Sequence, residues 1–188
     1  RKSAHKIFYG SEAAWIFRIL NSRFFKFSKD IEVKAIHQYD RNDEKLSRSY
    51  LESVKPLSKT LEEISIQNGL VSLSDFDMKW WILDKDRSMN NREIKTGHFA
   101  LNFENEIFNF SNNSYRASDF GIKLGARNVV LHLSPHDNKG YHQDSTRRTI
   151  LLNSGDLPWK RWKKEFEENF PKELEEYVKN IIEESSEE

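Results

Sequence analysis

The chain has 188 residues, and its thirty basic and thirty acidic side chains cancel, which argues against bulk attraction to nucleic acid or to a membrane surface. The length suits one domain with a real core, which thirteen Phe, six Tyr and five Trp supply, so the high charge marks a charged surface rather than a disordered chain. Cysteine is absent, which excludes disulfides, thiolate zinc sites and cysteine nucleophiles and makes the cytoplasm the default compartment, while no apolar run approaches the roughly 20 residues of a membrane span.

The start, Arg1-Lys-Ser-Ala-His5, has neither an initiator Met nor an apolar stretch after its basic residues. It reads as a segment of a larger polypeptide or as a trimmed chain. Ser11 before Glu12-Ala-Ala-Trp-Ile-Phe-Arg-Ile-Leu20 predicts an N-cap and a helix whose inner face carries Trp15, Ile16, Ile19 and Leu20. Alternation from Ile31 through Ala35, His37 and Tyr39 predicts a half-buried strand. From Glu44 to Asn68, apolar residues recur at Leu46, Tyr50, Val54, Leu57, Leu61 and Ile64, the steps of a helical face. Pro56 within that pattern predicts a kink or a junction of two helices, and Gly69 a C-cap.

Met78-Lys-Trp-Trp-Ile-Leu83 predicts a strand, followed by a long polar loop from Asp84 to Gly97. His98-Phe-Ala-Leu-Asn-Phe103 and Glu106-Ile-Phe-Asn-Phe110 flank Glu104-Asn105 and predict a hairpin, since Asn tolerates the positive φ of a tight turn. Phe120 to Gly125 predicts a short turn. Asn128–Ser134 and Arg148–Leu152 predict two further strands separated by a charged loop. Asp156 is a candidate cap for a helix with Pro158 in its first turn and a stripe of Trp159, Trp162, Phe166 and Phe170. Pro171 opens a last helix with Leu174, Tyr177, Val178, Ile181 and Ile182 facing inward, and residues 183–188 form an acidic, frayed tail. The sum is a single α+β domain over 1–188: a mainly antiparallel sheet of five to six strands, helices packed on one face, and C-terminal helices.

The charged loop holds the first candidate site. Lys139, Arg147 and Arg148 lie within it, and Lys123 and Arg127 precede the strand before it, so all five are candidates to converge on phosphate. The opposing reading is a solvated hairpin loop whose cations pair with Asp137 and Asp144. His136, His142 and Asp144 are a candidate for a divalent transition metal, although their spacing matches no metal motif. Asp77 with Glu93-Ile-Lys95 is similar to the acidic pair and Glu-x-Lys of restriction-type nucleases, which implies carboxylates holding a cation and a lysine activating water. Here the Glu-x-Lys falls in a polar loop rather than on a strand. Trp80-Trp81 and Trp159/Trp162 are read as core, with base stacking as the alternative. No P-loop, Gly-x-Gly-x-x-Gly turn, nucleophile elbow or His-Glu-x-x-His helix is present.

Trp80-Trp81, Phe99-Ala-Leu-Asn-Phe-Glu-Asn-Glu-Ile-Phe108, Phe120-Gly-Ile122, Arg127-Asn-Val-Val130, Ser145-Thr-Arg-Arg-Thr149 and Leu157-Pro-Trp159 together span roughly the second half of the chain. This run resembles the middle or transducer region of bacterial GHKL-type ATP-binding proteins, the superfamily of gyrase B, MutL-type repair proteins and heat-shock ATPases. The resemblance implies a domain that offers a basic side chain to a γ-phosphate and passes nucleotide state onward. Lys123, Arg127, Arg147 and Arg148 are then the candidates. The superfamily's Asn-bearing helix and Asp-x-Gly-x-Gly are missing, so the chain itself is expected to carry no cofactor, with ATP and Mg2+ belonging to the full-length protein. The expected partners are the rest of a larger polypeptide or another protein, in bacterial defence or DNA processing, with no membrane. A metal-dependent nuclease or phosphotransfer enzyme and a nucleic-acid-binding module are the alternative functions.

Overall fold

The computed structural model describes residues 11–37, 50–87, 94–111 and 119–186, with side chains throughout except at 11–16, 35–37 and 50–53. In chain order the elements are α1 (Ser11–Arg23), β1 (Lys34–His37), β2 (Tyr50–Ser53), α2 (Leu57–Ile64), β3 (Ser65–Ser72) and β4 (Phe76–Leu83). There follow β5 (His98–Phe103), β6 (Glu106–Ser111), β7 (Val129–Pro135), β8 (Tyr141–Gln143), β9 (Ile150–Leu152), α3 (Trp159–Glu168) and α4 (Lys172–Ser186).

Five strands form the main sheet in the order β3-β4-β7-β5-β6, while β1-β2 and β8-β9 are separate two-stranded ladders. Every pairing in the main sheet is antiparallel except β5 with β7, where His98 stands beside Val130 and Leu101 beside Leu133. The expected class, α+β with a mainly antiparallel sheet and C-terminal helices, is the architecture found. Pleating sorts the sheet residues. Phe76, Met78, Trp80 and Ile82 of β4, with Val129, Leu131 and Leu133 of β7, point to one face. There they meet Trp162 and Phe166 of α3 and Leu174 of α4, all three fully buried. Trp81, Leu83 and Val130 point to the other face, under Leu57, Leu61 and Ile64 of α2 and under Phe25. Helical cover is therefore heaviest on the face of α3 and α4, and α2 adds a second, smaller layer opposite. Central β7 is buried from both sides and reads accordingly as a nearly unbroken apolar run.

Polar pins hold the layers in register. Buried Asn21 of α1 donates to the Lys55 carbonyl at 3.1 Å and to Thr60 Oγ1 at 3.0 Å, and accepts from the Ile94 amide at 3.0 Å. Glu165 of α3 accepts from the Ser74 amide and hydroxyl at 2.5 and 2.8 Å, which locks α3 onto the β3–β4 turn. In the β5–β6 hairpin, Glu104 and Asn105 have φ of 52° and 65°. Two successive positive φ values are those of a type I′ turn.

Several expectations are corrected. The helical pattern from Glu44 to Asn68 is, where described, strand β2, then α2, then strand β3. Pro56 stands at the N-cap of α2 rather than kinking a longer helix, and Ser65 at its end is already extended, with φ −95° and ψ 141°. Gly69 is no C-cap: it pairs with Trp80 in mid-strand, where an added Cβ would lie 2.5 Å from the indole. The strands flanking the charged loop do not pair with each other, because β9 pairs with β8, a strand formed inside that loop. Lastly, α3 has Pro158 at its N-cap with no side-chain cap, so Asp156 does not serve that purpose.

Candidate functional site

The five candidate phosphate ligands are not brought together. Lys123 and Arg127 lie on the segment entering β7, and both are exposed. The Arg127 carbonyl accepts the Gly97 amide at 2.6 Å. Lys139, Arg147 and Arg148 follow the far end of β7. Seven residues at about 3.3 Å each put those two ends roughly 20 Å apart. Arg147 is committed to Glu106 at 3.1 Å, and Glu106 is shared with Arg23 of α1. Arg23 donates to the Arg147 carbonyl at 2.5 Å and lies over the Phe108 ring at 4.5 Å. Arg147 thus clasps the β8–β9 loop to β6 and α1. The Arg148 backbone is spanned as well: its amide donates to Asp144 at 2.7 Å and its carbonyl accepts from Asn109 at 2.8 Å. The Arg148 and Lys139 side chains are exposed.

Asp144 organises that loop. Its carboxylate accepts from the Thr146 hydroxyl and from the Thr149 and Arg148 amides, and these bonds hold its pKa well below the usual carboxylate range. His142 is exposed on β8 and His136 is engaged elsewhere. Among the described residues no group of three or more His, Asp or Glu side chains is placed to hold a metal. The nuclease set is also dispersed. Asp77 pairs with Ser134, whereas Lys95 sits just before Gly97, beside the start of β7. Ile82, which pairs with Val129 at that start, is five residues from Asp77, so the separation is about 17 Å. Glu93 lies outside the described residues. Trp80, Trp81 and Trp162 are buried and offer no face for stacking a base.

What the fold does assemble lies on the face of α2. Asp77 has Ser72 as its cross-strand partner on β3 and Ser134 as its partner on β7. Asn102 of β5 reaches the Ser134 hydroxyl at 3.3 Å. These four form a polar row across the sheet, beside the apolar patch under α2. Asp77 accepts from Ser72 at 2.7 Å and pairs with His136 Nε2 at 2.8 Å. Burial would raise the Asp77 pKa, but the hydrogen bonds from His136 and Ser72 and the charge of His136 outweigh it and leave it lowered. The row remains wet, with 34% of the Asp77 and 41% of the His136 side chain exposed. One step further in, Lys79 lies over the Trp81 and Phe25 rings at 5.1 and 5.9 Å. Burial and neighbouring Lys26 lower its pKa. Below it, His132 and His98 meet Nε2 to Nε2 at 2.9 Å, both fully buried.

This half-face runs out to β3, the edge of the sheet. The strand SIQNGLVS has eight residues with no charge and no proline. It exposes Ile66 by 68% and Leu70 by 57%. Among the described residues, no backbone hydrogen bond reaches its outer side. Edge strands normally carry charges, Pro or a cover that blocks further pairing. Here only a bulge between Ser65 and Gln67 interrupts the edge. The opposite edge, β6, is closed. Phe24 bridges to Glu106, the Phe25 amide donates to Asn105 at 2.8 Å, and the Asn109 amide and side chain bond Arg148 and Ile150. Sequence reading missed the open edge because it took β3 as the end of a helix. The available signal was a run of eight uncharged residues in a chain that is 32% charged. No protein-family model, no curated protein and no solved structure matches this chain.

Proposed function

We propose that this chain is a coupling or interaction domain of a larger nucleotide-driven bacterial protein and that it docks its partner through β3 and the adjoining polar half-face. The observation that carries the reading is the uncharged edge strand, with Ile66 and Leu70 exposed on it and no backbone partner on its outer side among the described residues. An edge of this kind offers a row of backbone donors and acceptors to an incoming strand, while the side chains beside it select the partner. The resemblance to GHKL transducer regions supports the coupling role. The separation of Asp77 from Lys95, and of Arg127 from Arg147, withdraws support from the sets proposed for nuclease chemistry and phosphate binding.

A photo-crosslinking side chain at Leu70, with a matched one at exposed Lys164 on α3 as control, tests the docking face. Crosslinks to polypeptide are expected from position 70 alone and are expected to vanish when Ile66 becomes Lys. Equal yields from both positions, or none from position 70, would refute the reading. Robust ATP hydrolysis by the isolated chain would remove the coupling role.

A further inference from the structure

We infer that the cleft between the 24–33 segment and the start of α2 binds an amphipathic anion, a hydrocarbon chain that ends in a carboxylate. No residue of β3 lines this cleft, so the site is independent of the docking edge.

Backbone bonds shape the cleft. The Leu57 and Ser58 amides at the start of α2 donate to the Phe24 and Phe25 carbonyls at 2.9 and 3.1 Å. The Val54 amide donates to the Val33 carbonyl at 2.8 Å. The 24–33 segment is thus tied down at both ends, and between them it turns where the Ile31 amide donates to the Ser28 carbonyl at 3.0 Å. Between this segment and α2 lies a cleft of about 760 Å³, within the roughly 300–1,000 Å³ that small-molecule sites occupy. Its apolar walls are Phe27, Ile31, Val33, Val54 and Pro56, and Ile31 is 59% exposed. All but Phe27 are aliphatic, so the walls match a hydrocarbon chain better than a base that needs aromatic faces for stacking.

Charge at the rim selects the head group. Two pairs there are neutral in themselves, Lys55 with Glu63 and Lys34 with Glu32, each at 2.8 Å. Lys26, Lys29 and Lys59 line the cleft and make no ion pair or side-chain hydrogen bond among the described residues. The Lys26 and Lys79 ammonium groups stand 5.8 and 5.9 Å from the centre of the same Phe25 ring, so a fourth cation adjoins the rim. Burial and neighbouring Lys26 lower the Lys79 pKa, and Glu62 opposes them. Facing these four cations are two carboxylates, Asp30 and Glu62. The excess is positive, and an incoming carboxylate offsets it. Lysines suit this rim because their methylene stems extend an apolar wall while their ammonium groups reach a head group at the mouth.

Calorimetric titration of the chain with decanoate tests the site, and one molecule is expected to bind per chain. Decanol, the same chain without charge, and acetate, the same head without a chain, should each bind at least about tenfold more weakly. Ile31→Glu sets a carboxylate on the wall of the cleft at an exposed position, so it should abolish binding while the melting temperature holds. Lys29→Gln/Lys59→Gln should weaken decanoate at least about tenfold and leave decanol unchanged, a split that simple collapse of the cleft would not give. Lys164→Gln, on the exposed side of α3, should change neither. Absence of decanoate binding, binding unaltered by Ile31→Glu, or decanol bound as tightly as decanoate would overturn the assignment. Uptake of many decanoate molecules per chain, as a detergent coats any apolar surface, would overturn it too.

Discussion

The buried pair His98–His132 should make this fold acid-labile in a window where ordinary carboxylates are still ionised. The tautomers follow from the partners. His98 Nδ1 lies 2.8 Å from the Thr96 carbonyl, which only accepts, so Nδ1 carries the proton. His98 Nε2 therefore accepts from His132 Nε2–H at 2.9 Å, and His132 Nδ1 is left as a buried lone pair with no partner among the described residues. Both rings are neutral. Burial lowers the His98 pKa from 6.5 to about 4, against a small opposing effect of the Thr96 bond. Burial, His98 and Lys79 together push His132 well below 6.5. In the unfolded chain both rings titrate near 6.5. As pH falls, the unfolded state thus takes up protons that the folded state refuses. The stability due to the pair is complete above pH ~6.5 and is lost as pH falls through that value toward the folded pKa values. Between pH 7 and pH 5 the loss from His98 alone is about 2 kcal/mol, and His132 acts in the same direction, out of a total of roughly 5–15 kcal/mol for a typical domain. Urea unfolding at pH 7, 6 and 5 should show the midpoint falling most between pH 6 and pH 5, with the m-value unchanged. His98→Phe/His132→Phe fills the same space without a titratable group, so its stability should depend less on pH by that amount. Equal pH slopes in the variant and the original chain would refute the argument.

Other expectations follow from close packing and from the turns. Gly97→Ala would place a Cβ 2.0 Å from the Ala126 carbonyl oxygen, a clash with backbone, so it should cost about 3 kcal/mol and lower the melting temperature by roughly 10 °C. Trp162→Ala empties a fully buried site between α3 and the sheet and should cost about 3–5 kcal/mol by urea titration. Glu104→Gly relieves a non-glycine residue at φ 52° and should stabilise the β5–β6 hairpin by up to about 1 kcal/mol, seen as slower amide exchange. The Asp144 pKa is lowered by its loop hydrogen bonds, so the stability it contributes is present above the unfolded value of 3.8 and lost as pH falls below it. Asp144→Asn should flatten the acid limb of the stability curve below pH ~4 without altering the histidine-dependent loss.

Several parts of this protein are legible in the sequence because their causes are local. The β5–β6 hairpin is written in Glu104-Asn105, two residues that reverse the chain whatever surrounds them. The stripes of α3 and α4 and the apolar runs of β4 and β7 carry their own periods, and with them the α+β class and most of the core. Only the tertiary structure decided the rest. Leu57, Leu61 and Ile64 do form one helical face, but the chain leaves the helix at Ser65 because the ladder to β4 satisfies the backbone of an uncharged segment that local pattern had assigned to the helix. His98 and His132 come from strands 34 residues apart in the chain and meet only because β5 runs parallel to β7. Arg127 and Arg147 look like neighbours across a short strand and loop, yet β7 is stiff and extended and carries them to opposite ends of the sheet. Whether β3 is an open edge depends on the order of all five strands, a non-local property that no window of residues contains.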